Sequence, residues 1–156
     1  MNIRFATEAD LPRVNELRRQ VNDVHVSGKP EMFREGFSEE LQQHLYTMFA
    51  QEDHAVLLAE TEQGIVGFAC LKYVDRPETP YRRAERYLDV DEFGVDESCR
   101  RQGIGRELFS AIRELAREHG LKRIELNMWE FNEDALRFYE AVGFTTFRRY
   151  LEFTVD

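Results

Sequence analysis

The feature that most constrains this chain is a helix that begins on two glycines shortly after a strand. The strand ends at Val95, a short polar loop follows, and Gly103 and Gly105 open the helix. The first N–H groups of a helix have no partner within it and the helix dipole is positive there, so the turn favours a bound anion. Because glycine has no Cβ, the backbone can approach that anion closely. The sequence therefore predicts an α/β fold with a phosphate site at this turn.

The charge around the turn is opposite in sign to that of the whole chain. The 156 residues include 21 basic and 30 acidic ones and carry a net charge of -9, which disfavours nonspecific binding to nucleic acid or anionic membrane. Arg100, Arg101 and Arg106 nevertheless cluster at the turn. This local positive charge suits a pyrophosphate group.

Two common nucleotide-binding motifs do not fit the turn. The dinucleotide-binding fingerprint needs a third glycine, and position 108 is a leucine. A P-loop needs Gly-Lys-Ser/Thr, whereas Gly105 is followed by Arg106 and Glu107. The phosphate site must therefore be of another kind.

Hydrophobic periodicity predicts one domain with the element order βααβββαβαβ, a mixed sheet covered by helices. A capping box at 7–10 starts the first helix and Gly28 ends it, whereas Ser38 caps the second. The six predicted strands are 3–6, 55–59, 65–74, 86–95, 123–129 and 144–155. The third and fourth predicted helices are 103–118 and 132–142. No linker or internal repeat divides the chain, and its length suits a single domain.

Two spaced motifs resemble those of the GNAT superfamily of acetyl-CoA-dependent N-acetyltransferases. Arg100-x-x-Gly103-x-Gly105 matches the superfamily's Arg/Gln-x-x-Gly-x-Gly/Ala signature, and it follows a strand as that signature requires. The segment 132–144 is similar to the second block, Asn-x-x-Ala-x-x-x-Tyr-x-x-x-Gly-Phe. The resemblance implies a GNAT-like fold with a mostly antiparallel sheet, splayed between the fourth and fifth strands.

The resemblance also implies acetyl-CoA as cosubstrate, with no metal. We expect the arm of the coenzyme to pair with the fourth strand and to bond the amide of Asn132. A bulge at Gly94 would splay the two strands and open a slot for that arm. The residues expected to bind the coenzyme are Phe93, Gly94, Val95, Arg100, Arg101, Gln102, Gly103, Ile104, Gly105, Arg106, Asn132 and Tyr139.

Tyr139 resembles the general acid of the superfamily, which protonates the leaving thiolate. The alternative is a tyrosine that only packs, since Ala135, Phe138 and Val142 make one face of its helix apolar. A backbone N–H of the fourth strand would polarise the thioester oxygen.

The base that must deprotonate the amine is sought among three acids of the fourth strand. Period two places Asp89 and Asp91 on one face and Glu92 on the other. Asp91 is the preferred base because it lies two residues before Phe93, and polyamine acetyltransferases carry an acid at the matching position. Asp89, Glu92, water alone, or a merely solvated strand end are the alternatives. An acid that ribosomal-protein N-terminal acetyltransferases carry on the fifth strand is replaced by Asn127.

The acceptor is predicted only as a class. A small cationic amine is favoured, a protein N-terminus or lysine is the alternative, and a catalytically silent coenzyme-binding module is more remote. Trp129 and Glu130 could line the acceptor pocket, and His25 is expected to be a cation at the end of the first helix.

The sequence also bears on where the protein is located and whether it forms a dimer. The sequence shows neither a signal peptide nor an apolar run long enough to span a bilayer, so a cytoplasmic protein without membrane or nucleic-acid partners is expected. The superfamily is often dimeric, and the predicted strand 144–155 could pair across a homodimer interface.

Overall fold

The computed structural model describes residues 1–156 as a five-stranded sheet with four α-helices. The strands are Asn2–Phe5 (β1), His54–Thr61 (β2), Gly64–Arg76 (β3), Glu85–Val95 (β4) and Ile124–Leu126 (β5), and the helices are Leu11–Gly28 (α1), Glu39–Phe49 (α2), Ile104–Glu118 (α3) and Glu133–Val142 (α4). The strands lie in the order β1-β2-β3-β4-β5, antiparallel up to β4 and parallel between β4 and β5. The predicted mixed, mostly antiparallel sheet with flanking helices is confirmed.

The first two helices begin as their sequences predict. Thr7 donates from its backbone N–H and its hydroxyl to Asp10 Oδ2, at 2.7 and 2.9 Å, and so forms the capping box before α1. Leu41 N donates to Ser38 Oγ at 3.2 Å at the start of α2. These caps satisfy N–H groups that a helix leaves without partners. No helix is both long and apolar enough to cross a membrane.

The helices cover the two faces of the sheet separately. We call the face under α1 and α2 the acceptor face and the face under α3 the core face. On the acceptor face the fully buried side chains include Leu11, Leu45, Leu58 and Phe68. On the core face they include Leu71, Leu88, Leu108 and Ile112. Burial of this apolar surface is the main force that holds the helices to the sheet.

Strand β4 contains a bulge at Asp91. Cys70 of β3 pairs with Glu92 and Leu71 pairs with Val90, so Asp91 is the extra residue between them. The expected bulge at Gly94 is wrong, because Gly94 pairs regularly with Phe68. A Cβ at position 94 would come within 2.8 Å of side chains of Phe68 and of α1, so this glycine serves close packing.

The expected splay between β4 and β5 is present. The two strands pair only from Leu88–Ile124 to Val90–Leu126, and the pairing stops where the bulge begins. A bulge increases the local twist and bends its strand, which separates β4 from its neighbour beyond that point. Strand β5 is consequently shorter than the predicted 123–129.

The predicted last strand, 144–155, is wrong for the chain as folded here. Residues 145–156, which we call the arm, form no strand and make no backbone hydrogen bond to the rest of the chain. A strand forms only when its N–H and C=O groups find an adjacent edge, and the arm pairs with no strand of its own sheet. The sheet therefore ends at β5.

Candidate active site

The turn before α3 is shaped to receive an anion. Gly103 has φ +85° at the N-cap position, and a Cβ there would meet nothing within 4 Å. Arg101 also has a positive φ, +61°, which is uncommon for a residue with a side chain. No side chain caps the helix, so its first N–H groups have no hydrogen-bond partner in the protein. The turn thus combines unpaired donors with the three arginines that the sequence predicted for a phosphate.

Gly105 lies where three elements approach one another closely. Its φ is not positive, unlike that of Gly103. A Cβ at Gly105 would lie 3.3 Å from the ring of Phe138 and 3.7 Å from that of Phe93. Gly105 therefore lets α3 approach α4 and β4 closely, beside the slot.

Asp96 fixes the loop between β4 and α3. Its Oδ1 accepts hydrogen bonds from the backbone N–H and hydroxyl of Ser98, at 3.0 and 2.7 Å, and its Oδ2 accepts one from Arg13 at 2.7 Å. Led by the bond from the Ser98 hydroxyl, these bonds lower the pKa of Asp96 to about 2. The carboxylate stays ionised at neutral pH and ties the loop to α1.

The edge of β4 beyond the bulge is open towards β5. Phe93, Gly94 and Val95 pair with β3 on one side and with no strand on the other. On the core face the Phe93 ring stacks on Phe138, with centroids 5.5 Å apart, and touches Tyr139 at 6.3 Å. The predicted slot is therefore walled by the edge of β4 on one side and by α4 on the other.

Asn132 lies at the start of α4, beside the slot. Its Oδ1 accepts a hydrogen bond from Ala135 N at 3.2 Å, while no protein group accepts one from its Nδ2. A cleft of about 610 Å³ opens between α1 and this helix start, and Glu97, Phe131 and Arg137 are among its lining residues. The free amide group of Asn132 can therefore donate to a molecule in the cleft.

Tyr139 points a free hydroxyl into the same region. Its ring packs between Phe93, Phe138 and Phe144, with centroids 5.4 to 6.3 Å apart, and no protein group hydrogen-bonds its oxygen. The hydroxyl is not buried without a partner, since no buried side-chain oxygen or nitrogen lacks one. Burial raises the pKa of Tyr139 to about 12, so the phenol keeps its proton at neutral pH. Tyr139 can therefore pack among the aromatic rings and also serve as a proton donor.

The bulge brings all the candidate base residues to the acceptor face. Lys72 and Cys70 are two apart on β3 and so share a face, and they pair with Asp89 and Glu92 respectively. Asp89 and Glu92 therefore share that face, and the prediction that they lie on opposite faces is wrong. Asp91 lies between them at the mouth of the slot, where β4 parts from β5.

Glu92 is committed to an ion pair. Arg18 of α1, only 5% exposed, donates from Nε and Nη2 to the two oxygens of Glu92 at 2.5 and 2.9 Å. Arg18 also donates to Asn15 Oδ1 and to the carbonyl oxygen of Leu41, both at 2.8 Å. Such a bidentate pair holds α1 on the sheet and occupies both oxygens that a base would use.

Asp91 and Asp89 have raised pKa values for the same main reason. Asp91 is exposed on one side, but the protein around it displaces water, and this loss of hydration, followed by the charge of Glu92, raises its pKa. Asp89 is half-buried, and burial with the charges of Asp91 and Glu125 raises its pKa to about 6. Asp91 is the exposed one, so a bound amine can reach it.

Four aromatic rings lie close together where the end of α1 meets the loop after β5. His25 stacks on Phe33 at 5.4 Å, Phe33 contacts Trp129 edge-on at 5.0 Å, and Trp129 stacks on Phe131 at 6.1 Å. Burial lowers the pKa of His25, although Glu92 opposes this, so the expected helix-end cation is disfavoured. We call His25, Phe33, Trp129 and Phe131 the aromatic cluster.

The sequence interpretation missed two parts of this region. Phe33 and Phe131 lie in loops without periodicity, so no pattern linked them to His25 and Trp129. Arg18 lies on the apolar face of a predicted helix, and an arginine at such a position is a signal that a buried acid faces it. Glu130 is exposed and belongs to no cluster of this site.

The chain matches known proteins in sequence. The model of the acetyltransferase (GNAT) family matches residues 19–144. The probable N-acetyltransferase camello of Xenopus laevis is 31% identical over 87 residues, 56% of this chain and 36% of that protein. The spermine/spermidine N(1)-acetyltransferase of Bacillus subtilis is 34% identical over 84 residues, 53% of this chain and 54% of that protein. The matches thus span about a third and about half of the length of these curated relatives.

A solved structure matches over nearly the whole chain. The crystal structure of a tetramutant of the BH1408 protein from Bacillus halodurans superposes with a TM-score of 0.95 and 29% identity. The superposition covers 99% of this chain and 100% of that one. The element order and the parallel β4–β5 pair are therefore shared with an experimentally determined fold.

Proposed function

Because this chain belongs to the acetyltransferase (GNAT) family, we propose that it transfers the acetyl group of acetyl-CoA to a primary amine by direct attack. The main support is the arrangement of three features along β4. The unpaired edge of β4 at Phe93–Val95 lies between the uncapped start of α3 and the free hydroxyl of Tyr139. A thioester placed along that edge would have donors for its phosphates at one end and a proton donor for its sulfur at the other.

The coenzyme fits the open groups of the site. The N–H groups at Gly103 and the neighbouring arginines Arg100, Arg101 and Arg106 are suited to its pyrophosphate, since they are unpaired donors and positive charges beside a helix start. The edge of β4 offers unpaired N–H and C=O groups to the amides of its arm, as a sheet edge does to an added strand. Asn132 can donate to that arm through Nδ2.

Tyr139 is proposed as the general acid. Its raised pKa keeps the proton in place until the sulfur leaves as a thiolate. A free thiol has a pKa of roughly 8.5 in water, below that of Tyr139, but loss of hydration beside the aromatic rings raises the pKa of the departing thiol as well and so favours transfer of the proton to sulfur. No protein acceptor competes for the hydroxyl, which can therefore turn to the sulfur.

Asp91 is proposed as the base, acting directly or through one water molecule. A free alkyl amine has a pKa near 10.4 and is almost fully protonated at neutral pH, so it must lose a proton before it attacks. Asp91 is exposed at the mouth of the slot, and its raised pKa makes it a better proton acceptor than an ordinary aspartate. Glu92 is less suited because Arg18 holds both of its oxygens.

The acceptor is proposed to be a small amine that carries a second positive charge. Asp89 and Asp91 supply negative charge on the acceptor face, and the aromatic cluster supplies ring faces that attract cations. A second charge on the substrate would stay paired with these groups while the first amine is deprotonated. The 34% identity to a spermine/spermidine N(1)-acetyltransferase over about half of the chain supports the same substrate class.

The test is a screen of acetyl-CoA consumption, read as thiol release, over a matched series of amines of equal length. Each pair in the series contains one compound with one amine and one with two. We expect the diamines to have the higher kcat/KM, with the difference shrinking at high salt. No preference for the second charge would refute the acceptor assignment, and turnover only with peptides would favour a protein acetyltransferase instead.

Asp91→Asn tests the base separately. The rate should fall most at neutral pH and recover partly at high pH, where free amine is abundant, because the variant loses only the group that removes the proton. Asp75→Asn makes the same change at an exposed position on β3 and should leave the pH–rate profile unchanged. A profile for Asp91→Asn parallel to that of the wild type at every pH would exclude Asp91 as the base.

A further inference from the structure

One buried cation packs against the strand that carries the candidate bases. Arg18 of α1 is the only basic residue among the buried ones. It donates through Nε and Nη2 to both oxygens of Glu92, the residue that follows the bulge of β4. Replacing a buried ion pair by apolar side chains of similar volume is often neutral or stabilising. Stability alone therefore does not account for an arginine at this place under α1.

The bulge is held differently at its two ends. Before it, Val90 pairs with β3 on one side and with β5 on the other. After it, Glu92 pairs with β3 alone, because β5 has parted from β4 at that point. Arg18 supplies a second hold there, since the planar fork of a guanidinium fixes a carboxylate in both position and orientation. The backbone around Asp91 is thus fixed on both sides.

The remaining hydrogen bonds of Arg18 reach the start of α2. Its Nη1 donates to Asn15 Oδ1 and to the carbonyl oxygen of Leu41, both at 2.8 Å. Asn15 Nδ2 donates in turn to the carbonyl oxygen of Gln42 at 3.3 Å. Arg18 therefore holds α1, the start of α2 and the segment of β4 after the bulge in one arrangement.

The pair of Arg18 and Glu92 also sets the charge beside Asp91. The charged groups that face Asp91 are Glu92 and Asp89 of β4, Arg18 of α1, His44 of α2 and His54 of β2. After loss of hydration, the charge of Glu92 contributes most to the raised pKa of Asp91, and the charges of the two histidines and of Arg18 oppose it. Loss of Glu92 and loss of Arg18 would therefore change the charge at Asp91 in opposite directions.

We propose that Arg18 is a positioning residue for acetyl transfer, which by holding Glu92 keeps Asp91 in place at the mouth of the slot and balances the charge beside it. This inference rests on the proposed function, in which Asp91 is the base. Because Arg18 is only 5% exposed, it does not contact a substrate itself and acts through its two neighbours on β4.

The first experiment measures the pKa of Asp91 by NMR titration of the side-chain carboxyl carbons in the full chain. Asp91→Asn identifies its signal. Glu92→Gln keeps the size of the side chain and removes its charge, so the pKa of Asp91 should fall. Arg18→Met leaves the charge of Glu92 unbalanced, so the pKa should rise, and each change should be roughly half a pH unit or more. The matched controls are Glu114→Gln and Arg117→Met, at an exposed ion pair of α3, which should leave the titration unchanged.

The second experiment measures kcat/KM against pH with the preferred amine. The value should fall below the pH at which the base becomes protonated. That pH should be lower than in the wild type in Glu92→Gln and higher in Arg18→Met. A merely structural pair would lower the melting temperature or the rate in both variants without moving their pH profiles apart.

An unchanged titration of Asp91 in Glu92→Gln would overturn the inference, and so would shifts of the same sign in the two variants. Glu92→Gln keeps a hydrogen-bonding partner for Arg18 and decides the matter alone if Arg18→Met does not fold. Opposite shifts of the titration with unmoved pH–rate profiles would support the action of the pair on Asp91 and overturn the assignment of Asp91 as the base.

Discussion

The two ends of the sheet differ in how completely they are packed. All 30 buried residues lie between Leu11 and Leu121, in or next to β2–β4, α1, α2 and α3. Residues 122–156, which include β5, α4 and the arm, contain no buried residue at all. The first region, which we call the closed region, has a continuous buried core. The second, which we call the open region, has none.

The open region nevertheless contributes Asn132 and Tyr139, two groups of the proposed site. Segments with few buried contacts open at low free-energy cost, and binding sites are commonly drawn from them. In this protein the open region would gain its missing contacts from the coenzyme bound in the slot. One region therefore holds the fold together, and the other completes the proposed site.

The largest effect is expected from removing one oxygen atom in the open region. Tyr139→Phe keeps the ring packing, and its hydroxyl bonds no protein group, so the melting temperature and the acetyl-CoA affinity should not change. The catalytic rate should fall by about 10²–10⁴ if the hydroxyl is the general acid. Tyr81→Phe, at a side chain 93% exposed in a loop, is the matched control.

A drop of less than about threefold in Tyr139→Phe, with chemistry shown to limit the rate, would leave this tyrosine only a packing role. Single-turnover kinetics distinguish the chemical step from product release. The control variant should turn over at the wild-type rate in the same assay.

A smaller effect, on the free energy of unfolding, is expected when two phenylalanines on either side of the boundary between the regions are replaced. Phe68 is fully buried, so Phe68→Ala should cost about 3–5 kcal/mol of unfolding free energy. Phe138 is half-buried and packs on Phe93 and Gly105, so Phe138→Ala should cost only about 1–2 kcal/mol without ligand. Urea unfolding measures both, and equal costs would mean that α4 is as firmly packed as the core.

The smallest effect is a gain in stability. Because the pKa of Asp89 is raised to about 6, folding disfavours its ionised form. The penalty is absent below the ordinary pKa of 3.8 and complete above pH 6. Asp89→Asn should therefore stabilise the protein by about 1–2 kcal/mol at neutral pH and by nothing in acid.

Thermal unfolding across this pH range tests the shift of Asp89. Asp75→Asn removes one carboxylate at an exposed position in the same way, and it corrects for the change in total charge. A pH-independent gain in Asp89→Asn would show that the effect comes from packing and not from ionisation.

Much of the closed region and of the turn before α3 was predictable from the sequence. The capping box, the Ser38 cap and the glycine at the start of α3 are local signals, and local backbone chemistry decides them. The motif residues at the turn and on α4 lie where their spacing predicted, on two helices that flank one slot. The coenzyme and catalytic roles assigned to these residues remain proposals.

The parts that were predicted wrongly depend on partners distant in sequence. The position of the bulge is set by the register between β3 and β4, which no single strand encodes. It moved Glu92 to the face of Asp89, opposite Arg18, which is 74 residues away along the chain. The arm has the alternation of a strand but pairs with no edge of the sheet, so pattern alone could not decide its structure.

The bulge at Asp91 divides β4 into two segments that stay in phase. Val90 and Phe93 keep the core face, and Asp89 and Glu92 keep the acceptor face, as though the residue between them were not counted. Inserting one codon into a regular strand would therefore add a carboxylate and open the slot without turning any neighbouring side chain over. Such a site can therefore be gained by insertion or lost by deletion without compensating substitutions in the core. Insertion or deletion of one residue is thus a route by which proteins that share one stable fold could gain or lose catalysis.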